Sequence, residues 1–260
     1  MQANKLFDLG GKVALVTGGS RGIGFQMAEA LGEMGCKLAI SARKQHELDA
    51  ASAALRRTNI EVLTIAKDLG AATADAAASL VGAVLDHYGK IDILVNNAGR
   101  LGHRAQPRSL AQGDGGLNVD ACFHVAREVA RRSMIPNNSG KIINIASIAG
   151  FGGSRPDGGV FSVAYNTSKG ALITLTQALA TEWGKHNINV NAICPGYFPT
   201  KLSAGLAERA DEIAKVTPLG RAGGDYDIKG PVVFFASEAS HHVSGQALAI
   251  DGGGSAVILN

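Results

Sequence analysis

Cysteine, aromatic residues and net charge are all scarce in this sequence of 260 residues. The three cysteines, Cys36, Cys122 and Cys194, lie far apart in apolar runs, and none has the C-x-x-C spacing of a redox or metal motif. Isolated thiols of this kind are typical of buried, reduced side chains. Their pattern argues against a disulfide framework and predicts a reducing, cytoplasmic location.

Charge and hydrophobicity exclude further classes of protein. Lys plus Arg is 25 and Asp plus Glu is 22, which leaves a net charge of +3. This charge is too small and too dispersed to indicate a nucleic-acid partner or binding to an anionic membrane surface. No run approaches the roughly 18 apolar residues of a membrane span, and residues 1–9 lack the apolar segment of a signal peptide. We therefore expect a soluble protein without a membrane partner.

Glycine, in contrast, is abundant at 34 residues, and short β-rich runs alternate with longer alanine-rich helical patterns. The predicted strands are residues 12–17, 37–42, 61–66, 91–95, 141–146, 189–193 and 248–250. The predicted helices between the first four strands are residues 22–34, 45–57 and 73–88. Strands separated by helices of about 10–15 residues indicate βαβ units with right-handed crossovers.

One domain spanning residues 1–260 accommodates this pattern, since the sequence shows no linker, repeat or low-complexity tail. We predict an α/β fold: a Rossmann-type doubly wound parallel sheet of about seven strands, with helices on both faces in three α/β/α layers. Ligands bind such sheets beyond the carboxyl ends of the strands. The motifs described below follow strand ends.

A glycine-rich turn, TGGSRGIG at 17–24, follows the first predicted strand. Glycine permits a sharp turn and a close backbone approach to a pyrophosphate, whose charge favours the N-terminus of the next helix. The spacing is G-x-x-x-G-x-G rather than G-x-G-x-x-G, so its position after the first strand is what favours a nucleotide site. The candidate cofactor-binding residues here are Gly18, Ser20, Arg21, Gly22, Ile23 and Gly24.

The residues after the second and third strands bear on which nicotinamide cofactor is bound. An acidic residue after the second strand would bind a ribose 2′-hydroxyl, but this sequence has SARK at 41–44. Arg43 and Arg21 suit a 2′-phosphate through charge-assisted hydrogen bonds, unless both are solvated surface arginines. The pattern favours NADP(H). Asp68 and Leu69 follow the third strand, where Asp68 would accept from the adenine amine or cap the next helix.

The fourth and fifth strands end in small and polar residues. The fourth is followed by NNAG at 96–99, and the fifth ends at Ser147. Small residues and side-chain amides allow close packing beside a cofactor and hydrogen bonds between neighbouring strand ends. The residues predicted to do this are Asn97, Ala98 and Gly99.

Tyr165 and Lys169 form the candidate acid/base pair. They are four residues apart, so they share one face of a helix. An ammonium beside a phenol favours the phenolate and would lower the tyrosine pKa toward working pH. A tyrosine tuned in this way donates a proton to a developing alkoxide or accepts one from an alcohol.

TGGSRGIG, NNAG, the serine after the fifth strand, YNTSK at 165–169 and Pro195-Gly196 occur in this order. Together they closely resemble the short-chain dehydrogenase/reductase family over essentially the whole chain. The resemblance implies an oxidoreductase that moves a hydride between a nicotinamide and a carbonyl or CH–OH carbon, without a metal. The histidines agree with this, since none lies in a convincing ligand cluster and His241-His242 is interpreted as a solvated turn.

The resemblance also implies roles for single residues. Tyr165 is expected to be the acid/base, Lys169 to tune it and bind the nicotinamide ribose, and Ser147 to hydrogen-bond the substrate oxygen. Asn118, in LNVDA, is expected to hold a water in the proton relay. The resemblance assigns Pro195 and Gly196 to contact beside the nicotinamide, and Thr200 to its carboxamide or phosphate.

Two segments depart from the family pattern. The stretch between Ser147 and Tyr165 is longer than usual, and its FGGSRPDGGVFS segment is expected to form a loop over the substrate side. Residues 100–117 are shortened, and Gly113, Gly115 and Gly116 would each cost a helix about 1 kcal/mol relative to alanine. We predict that the next helix begins late, near 118–121, or that the stretch is irregular or mobile. The position of Asn118 is therefore left open.

The substrate depends on loops 100–116, 149–163 and 197–219. NAICPGYFPTKL at 191–202 is similar to bacterial reductases named for gluconate 5-dehydrogenase activity, while the general pattern resembles 3-oxoacyl-[acyl-carrier-protein] reductases equally well. Few basic residues are available to dock an acidic carrier, which favours a small keto or hydroxy substrate such as a sugar acid. The basic candidates are Arg131, Arg132 and Lys185, and the candidate pocket or packing aromatics are Phe151, Phe161, Tyr197 and Phe198.

Two further expectations concern assembly and the loss of catalysis. The resemblance implies a homodimer or homotetramer in which helices 119–134 and 164–183 pair, with residues 251–259 at a second interface. An apolar seam would come from residues of which some must face the sheet: Ala121, Val125, Val129, Leu172, Leu175 and Leu179. A non-catalytic NADP(H)-binding regulator or scaffold would have a broken Ser–Tyr–Lys set, whereas here the set is whole.

Overall fold

Seven strands and seven α-helices alternate along the part of the computed structural model that is described, residues 2–99, 116–153, 162–199 and 210–257. The strands are β1 (Val13–Thr17), β2 (Lys37–Ala42), β3 (Val62–Ala66), β4 (Ile93–Asn96), β5 (Gly140–Ile145), β6 (Ile188–Pro195) and β7 (Ala247–Ile250). The helices are α1 (Gly22–Glu33), α2 (Gln45–Arg57), α3 (Ala74–Tyr88), α4 (Ala121–Val129), α5 (Val163–Trp183), α6 (Ala210–Val216) and α7 (Lys229–Ala236).

The strands form one parallel sheet in the order β3-β2-β1-β4-β5-β6-β7. The chain runs outward from β1 to β3 and then returns to β4, which lies on the other side of β1. The carboxyl ends of β1 and β4 therefore diverge at the switch point where ligands bind in this kind of sheet. The prediction of a doubly wound parallel sheet is confirmed.

Helices cover both faces of the sheet, which is why its strands are apolar almost throughout. Alternate residues of β1 belong to different cores: Ala14 and Val16 pack with α1, α2 and α7, while Val13 and Leu15 pack with α3 and α4. All five residues of β1 are buried. The period-two alternation of a strand thus produces the three layers that the sequence predicts.

The boundaries of the strands differ from the predictions by one or two residues. β1 and β3 begin one residue later than expected, and β6 continues to Pro195, which is paired with Ile250 of β7. Proline is acceptable at this position because the ladder continues through its neighbour: the Gly196 backbone N–H donates to the Ile250 carbonyl at 2.9 Å.

The helix that carries Asn118 is already helical at Gly116, earlier than predicted. Wider π-type turns extend α4 at both ends, over Gly116–Asp120 and Ala130–Met134. Packing outweighs the low helix propensity of glycine, since Ala121, Val125 and Val129 of α4 are fully buried against α3 and the sheet. The regular part of the helix begins at Ala121, within the predicted range of 118–121. The alternative of an irregular or mobile stretch concerned residues 100–117, of which 100–115 lie outside the described part.

The apolar seam expected between protomers faces inward instead. Five of its six side chains are buried within this chain, and the sixth, Leu175, is half-buried against the same cores. Helical spacing identifies an apolar stripe but not the layer it faces, and here the stripe covers the sheet. The seam as proposed is wrong. The buried residues are Ala121, Val125, Val129, Leu172 and Leu179.

The described residues form neither a membrane-spanning helix nor a metal-binding cluster. Among the described helices, none combines the length and apolar content needed to cross a membrane. In the same ranges, no group of three or more His, Cys, Asp or Glu side chains is arranged to hold a metal ion. His241 and His242 are exposed, as expected of a solvated turn, and His241 lies 3.2 Å from Glu238.

Candidate active site

The turn between β1 and α1 is shaped by close backbone contacts. Gly18 and Gly22 have φ angles of +66° and +56°, which favour glycine. A Cβ added to Gly24 would lie 2.3 Å from both the Gly18 carbonyl oxygen and Asn97 Nδ2, so the position has no room for a side chain. Arg21 at the N-cap of α1 offers no side-chain hydrogen bond to the helix among the described residues. The first N–H groups of α1 are thus suited to an anion such as a pyrophosphate.

Asn97 ties the end of β4 to this glycine turn. Its Nδ2 donates to the carbonyl oxygens of Thr17 and Gly18, both at 3.0 Å. In return, Thr17 Oγ1 accepts from the backbone N–H groups of Asn97 and Ala98, again at 3.0 Å. The structure therefore brings Gly18, Asn97 and Ala98 together, as the sequence predicts for neighbouring strand ends. Thr17 was missed as a site residue, although its position as the last residue of β1 was a usable signal.

The two arginines predicted for a 2′-phosphate differ in their surroundings. Arg21 Nη1 lies 3.0 Å from Oε1 of Glu47, in the first turn of α2. Arg43 is exposed and has no ion pair among the described residues. Both lie at the carboxyl edge of the sheet, because Thr17 of β1 is directly paired with Ser41 of β2. Glu47 was missed by the sequence analysis, although its spacing of three from Lys44 indicates a helical ion pair.

Asp68 and Leu69 follow β3 at the same edge. Asp68 Oδ1 accepts from the Gly70 backbone N–H at 2.7 Å, and Leu69 is buried in the core. The helix-capping alternative for Asp68 is wrong, because Thr73 is the N-cap of α3 and its hydroxyl accepts from the Ala76 N–H at 3.2 Å. The side chain of Asp68 caps only its own turn, which keeps its second oxygen available to a ligand.

Lys169 is held beside the ring of Tyr165. Its Nζ donates to the Ile145 carbonyl of β5 at 2.7 Å and lies 5.7 Å from the centroid of the Tyr165 ring. Only 6% of the lysine is exposed. Helix α5 thus presents both side chains on one face, at the carboxyl end of β5, as the four-residue spacing predicts.

Ser147 is brought to the same place by a short 3₁₀ turn, Ile148–Gly150, that lies directly on α5. A Cβ at Gly150 would be 2.8 Å from the Lys169 backbone, so only glycine permits this approach. Ser147 is buried, and its Oγ accepts from the Ala149 N–H at 3.2 Å. The turn therefore carries the serine to the part of α5 that holds Lys169.

Asn118 lies next to these residues, which resolves the position left open by the glycine-rich stretch before it. Its Nδ2 donates to Ser168 Oγ at 3.0 Å, and Ser168 Oγ donates to the Tyr165 carbonyl at 2.8 Å. A Cβ on Gly99 would be 3.2 Å from Asn118 Oδ1 and 3.7 Å from Lys169 Nζ. Ser168 was missed, although it lies between the candidate tyrosine and lysine.

A buried polar chain links the central strands to α5. Asn96 Nδ2 donates to Asn144 Oδ1 at 3.0 Å, and Asn144 Nδ2 donates to Thr176 Oγ1 at 2.9 Å. All three side chains are buried. Thr176 is seven residues after Lys169 on the same helix face, and Asn144 is adjacent to Ile145. The Asn144–Thr176 bond and the Lys169–Ile145 bond therefore both hold α5 on β5. No local pattern predicts this set of hydrogen bonds, since its members are far apart along the protein.

Pro195 and Gly196 end β6 beside the turn that follows β7. A Cβ on Gly196 would be 2.6 Å from Asp251 Cβ, so the two segments are in direct contact. The Asp251 carboxylate accepts from the backbone N–H groups of Gly253 and Ser255, at 3.0 and 2.6 Å. Thr200, predicted to contact the nicotinamide, lies outside the described residues.

The three cysteines are buried and carry no disulfide, as expected. Burial raises the pKa of Cys122 and of Cys194 to about 11, and that of Cys36 to about 12. Near neutral pH these thiols are protonated and therefore weak nucleophiles. Cys194 lies against the Ser147 backbone, yet covalent chemistry by this thiol is not favoured.

The aromatic residues expected near the substrate separate into two groups. Phe151 and Tyr197 are exposed at the carboxyl edge, whereas Phe198 is only 7% exposed and belongs to the core. A Cβ on Gly223 would be 2.5 Å from the Phe198 ring, which shows how closely this ring is covered. Phe198 therefore has the packing role, and Phe161 lies outside the described residues.

The basic residues considered for docking an acidic carrier have partners within the chain. Arg131 Nη2 lies 2.8 Å from Glu128 Oε2, and this hydrogen bond lowers the pKa of the carboxyl. Arg132 Nη1 donates to the Ala78 carbonyl at 3.2 Å. Both follow α4 on the way back to the start of β5, at the edge of the sheet opposite to Ser147 and Tyr165. Lys185 also precedes the start of a strand, β6.

Comparison with known proteins agrees with this arrangement. A family model described as short chain dehydrogenase matches residues 12–211. The chain is similar to a 2-dehydro-3-deoxy-D-gluconate 5-dehydrogenase of Dickeya dadantii, with 40% identity over 256 residues that cover 95% of this chain and 96% of the relative. It is also similar to a gluconate 5-dehydrogenase of Gluconobacter oxydans, with 38% identity over 255 residues and the same two coverages.

A solved structure gives the same result in three dimensions. The crystal structure of a gluconate 5-dehydrogenase from Burkholderia cenocepacia, in complex with NADP and tartrate, superposes with a TM-score of 0.88. Its sequence is 33% identical, and the match covers 99% of this chain and 100% of that one. By sequence and by fold, the chain therefore belongs to the short chain dehydrogenase family and is an oxidoreductase.

Proposed function

We propose that the chain is an NADP(H)-dependent dehydrogenase that interconverts a secondary alcohol and a ketone in a small sugar acid, such as gluconate and 5-ketogluconate. The observation that carries the proposal is the buried ammonium of Lys169, held by the Ile145 carbonyl beside the Tyr165 ring. The names of the two relatives and the NADP and tartrate in the similar crystal structure support the cofactor and the hydroxy-acid substrate class.

The cofactor fits the carboxyl edge of the sheet. The glycine turn leads into the start of α1, where the first N–H groups, without a side-chain cap from Arg21, attract an anion such as a pyrophosphate. Arg43 offers an exposed guanidinium for the 2′-phosphate. The nicotinamide is proposed to lie beside Lys169, near Gly99 after β4 and Gly196 after β6. When bound, the nicotinamide donates or accepts the hydride, and the protein residues supply binding, orientation and proton transfer.

In the direction of reduction, Ser147 Oγ donates a hydrogen bond to the substrate carbonyl oxygen. As the carbonyl carbon gains the hydride, the C=O π electrons move to the oxygen, and the Tyr165 hydroxyl transfers its proton there. The resulting phenolate is stabilised by the Lys169 ammonium. Oxidation of the alcohol follows the same steps in reverse, with Tyr165 as the base.

We propose that Asn118 takes part in the proton relay that reprotonates Tyr165. Its Oδ1 lies near Lys169 Nζ, because a Cβ on Gly99 would touch both groups. Its Nδ2 is fixed by Ser168, whose hydroxyl is bonded to the Tyr165 carbonyl. The side chain is therefore oriented to accept a hydrogen bond from a water that carries protons to Lys169.

The alternative substrate, a 3-oxoacyl group on an acidic carrier protein, is not favoured by the charged surface. Arg131 is paired with Glu128, and Arg132 is bonded to the Ala78 carbonyl. Both are at the edge of the sheet away from Tyr165. A carrier docked on them would not present its acyl group to the site.

The test measures the initial rate of NADPH oxidation with 5-ketogluconate and, in parallel, with acetoacetyl-coenzyme A. We expect turnover of the keto acid and none of the thioester above the background without substrate. Rapid turnover of the thioester alone would refute the sugar-acid proposal. A second pair of assays, with NADPH and NADH on the same keto acid, tests the cofactor independently.

A further inference from the structure

Four residues with charged side chains lie around the end of β2, where the 2′-phosphate of the proposed cofactor would bind. Arg21 comes from the glycine turn, Arg43 and Lys44 follow β2, and Glu47 lies in the first turn of α2. Glu47 is the acidic member of this group. It accordingly decides how much of the positive charge is available to a ligand.

Glu47 is held by two of the three cations. Its Oε1 lies 3.0 Å from Arg21 Nη1 and 3.7 Å from Lys44 Nζ. The carboxylate side chain is 17% exposed, whereas the Arg21 side chain is 45% exposed. The acid therefore lies beneath the arginine, and one terminal nitrogen of the guanidinium is directed toward it.

This arrangement conflicts with binding of a phosphate. A guanidinium binds phosphate best through two parallel N–H donors, and one terminal nitrogen of Arg21 already donates to Glu47. A carboxylate beside a phosphate dianion also adds repulsion between like charges. A ribose 2′-hydroxyl needs no guanidinium and carries no charge, so the same carboxylate does not oppose NAD(H).

We infer that Glu47 is a specificity-determining residue, which holds Arg21 away from the 2′-phosphate and so limits the preference for NADP(H) over NAD(H). The inference rests on the proposed nicotinamide cofactor. It concerns the ratio of the affinities of this protein for NADP(H) and NAD(H). In this proposal Arg43 binds the phosphate without competition from Glu47. Arg21 can hydrogen-bond either Glu47 or the phosphate.

The test is Glu47→Gln, which keeps the shape of the side chain and removes its charge. Dissociation constants for NADPH and NADH are measured by the change in nicotinamide fluorescence, without substrate. We expect NADPH to bind about fivefold more tightly, as for loss of one competing exposed ion pair, and NADH to change by less than about twofold. An unchanged affinity for NADPH would overturn the inference. A weaker affinity would also overturn it, because Glu47 would then be orienting Arg21 toward the phosphate.

Glu61→Gln is the matched control. Glu61 forms a similar exposed ion pair with Lys37, at 3.2 Å, but at the amino ends of β2 and β3. It should leave both dissociation constants unchanged, and an equal gain in NADPH affinity would mean that Glu47 acts only through net charge.

Arg21→Gln separates the action on Arg21 from direct repulsion of the phosphate. In that background, Glu47→Gln should gain little further affinity for NADPH, whereas a full fivefold gain would overturn the role assigned to Arg21. If the unmodified protein binds neither NADPH nor NADH, the proposed function itself fails, which is a different result from an unaltered ratio between the two.

Discussion

The two edges of the sheet each contain a buried lysine at strand β5, one on helix α5 and one in the strand itself. Lys169 is 6% exposed and donates to the Ile145 carbonyl near the end of β5, while Lys141 is 8% exposed and lies near its start. Lys141 Nζ donates to Asn189 Oδ1 at 2.9 Å. The two ammonium groups are alike in burial and in having an oxygen acceptor.

They differ in what surrounds them. Lys169 faces the Tyr165 ring and Asn118 at the edge where the strands diverge. Lys141 faces Asn189, whose amide is bonded to the His241 and Val243 carbonyls, so it ties β5 to the segment before β7. A buried lysine is therefore informative about catalysis only with its neighbours, and at the carboxyl edge those neighbours include the hydroxyl-bearing Tyr165.

The largest expected effect is at Tyr165. Tyr165→Phe removes the hydroxyl that transfers the proton and should lower kcat by roughly 10²–10⁴-fold. Binding of NADPH, measured by fluorescence, should stay within about twofold, because the ring remains in place. A variant with normal turnover would contradict the acid/base role of Tyr165.

The comparison between the two lysines is tested directly by replacing each with methionine. Methionine has an unbranched side chain of similar length and carries no charge. Lys169→Met should lower kcat by about a hundredfold or more, since the phenolate loses its electrostatic partner. Lys141→Met should retain kcat within about threefold. Steady-state rates on both folded variants, verified by circular dichroism, decide the matter. Equal losses would mean that burial, rather than position, accounts for the effect.

A smaller effect is expected from the polar chain that holds α5. Thr176→Val leaves Asn144 Nδ2 without its acceptor and should reduce the free energy of unfolding by about 1–3 kcal/mol. A shift of α5 would also misplace Tyr165 and lower kcat by about tenfold with little change in KM. Urea unfolding and steady-state kinetics measure the two effects.

Thr176→Ser is the control for that variant, because it keeps the hydroxyl and should retain both stability and kcat more closely than valine does. A serine variant as impaired as the valine variant would show that the methyl group, and not the hydrogen bond, matters at this position.

The smallest effect concerns the pH dependence of stability at the amino edge. Burial, with a minor contribution from Lys12, lowers the pKa of Lys141 below 10.5. The unfolded chain then binds more protons than the folded one between the two pKa values, so Lys141 adds stability as pH rises through that window. One proton limits the gain to about 1.4 kcal/mol per pH unit.

The measurement is the difference in urea midpoint between the unmodified protein and Lys141→Met from pH 8 to 10.5. The difference is needed because the three buried thiols act in the opposite sense: their pKa values are raised to about 11–12, so their contribution is lost as pH rises above 9. A difference that does not vary with pH would contradict the shifted titration of Lys141.

Much of the fold was predictable from the sequence for a simple reason. Strands such as β1 are apolar on both faces, and helices such as α3 have an N-cap at Thr73 and a glycine with positive φ at Gly89. These signals act between neighbours in the sequence, so they are visible there. The order of motifs along the strand ends likewise predicted which side chains would share an edge.

The errors come from contacts between distant parts of the chain. The apolar stripe on α4 and α5 was assigned to a seam between protomers, although it covers the sheet of this chain. Capping by Asp68 was possible from its position, but Thr73 is closer to the start of α3. Glycine before Asn118 predicted a late helix, and α4 begins at Ala121, but the sequence did not predict the π-type turn that precedes it from Gly116.

The sequence by itself determined the family and the parallel sheet, and it predicted the Ser147, Tyr165 and Lys169 set, because each depends on local pattern and spacing. Only the tertiary structure decided which distant residues lie together. It places Asn118 and Lys169 beside Gly99, and it pairs Asn144 with Thr176 and Glu47 with Arg21 through hydrogen bonds. These pairs join different strands and helices, and their distances depend on how the layers pack. Packing of this kind is a property of the whole chain, which no short segment encodes.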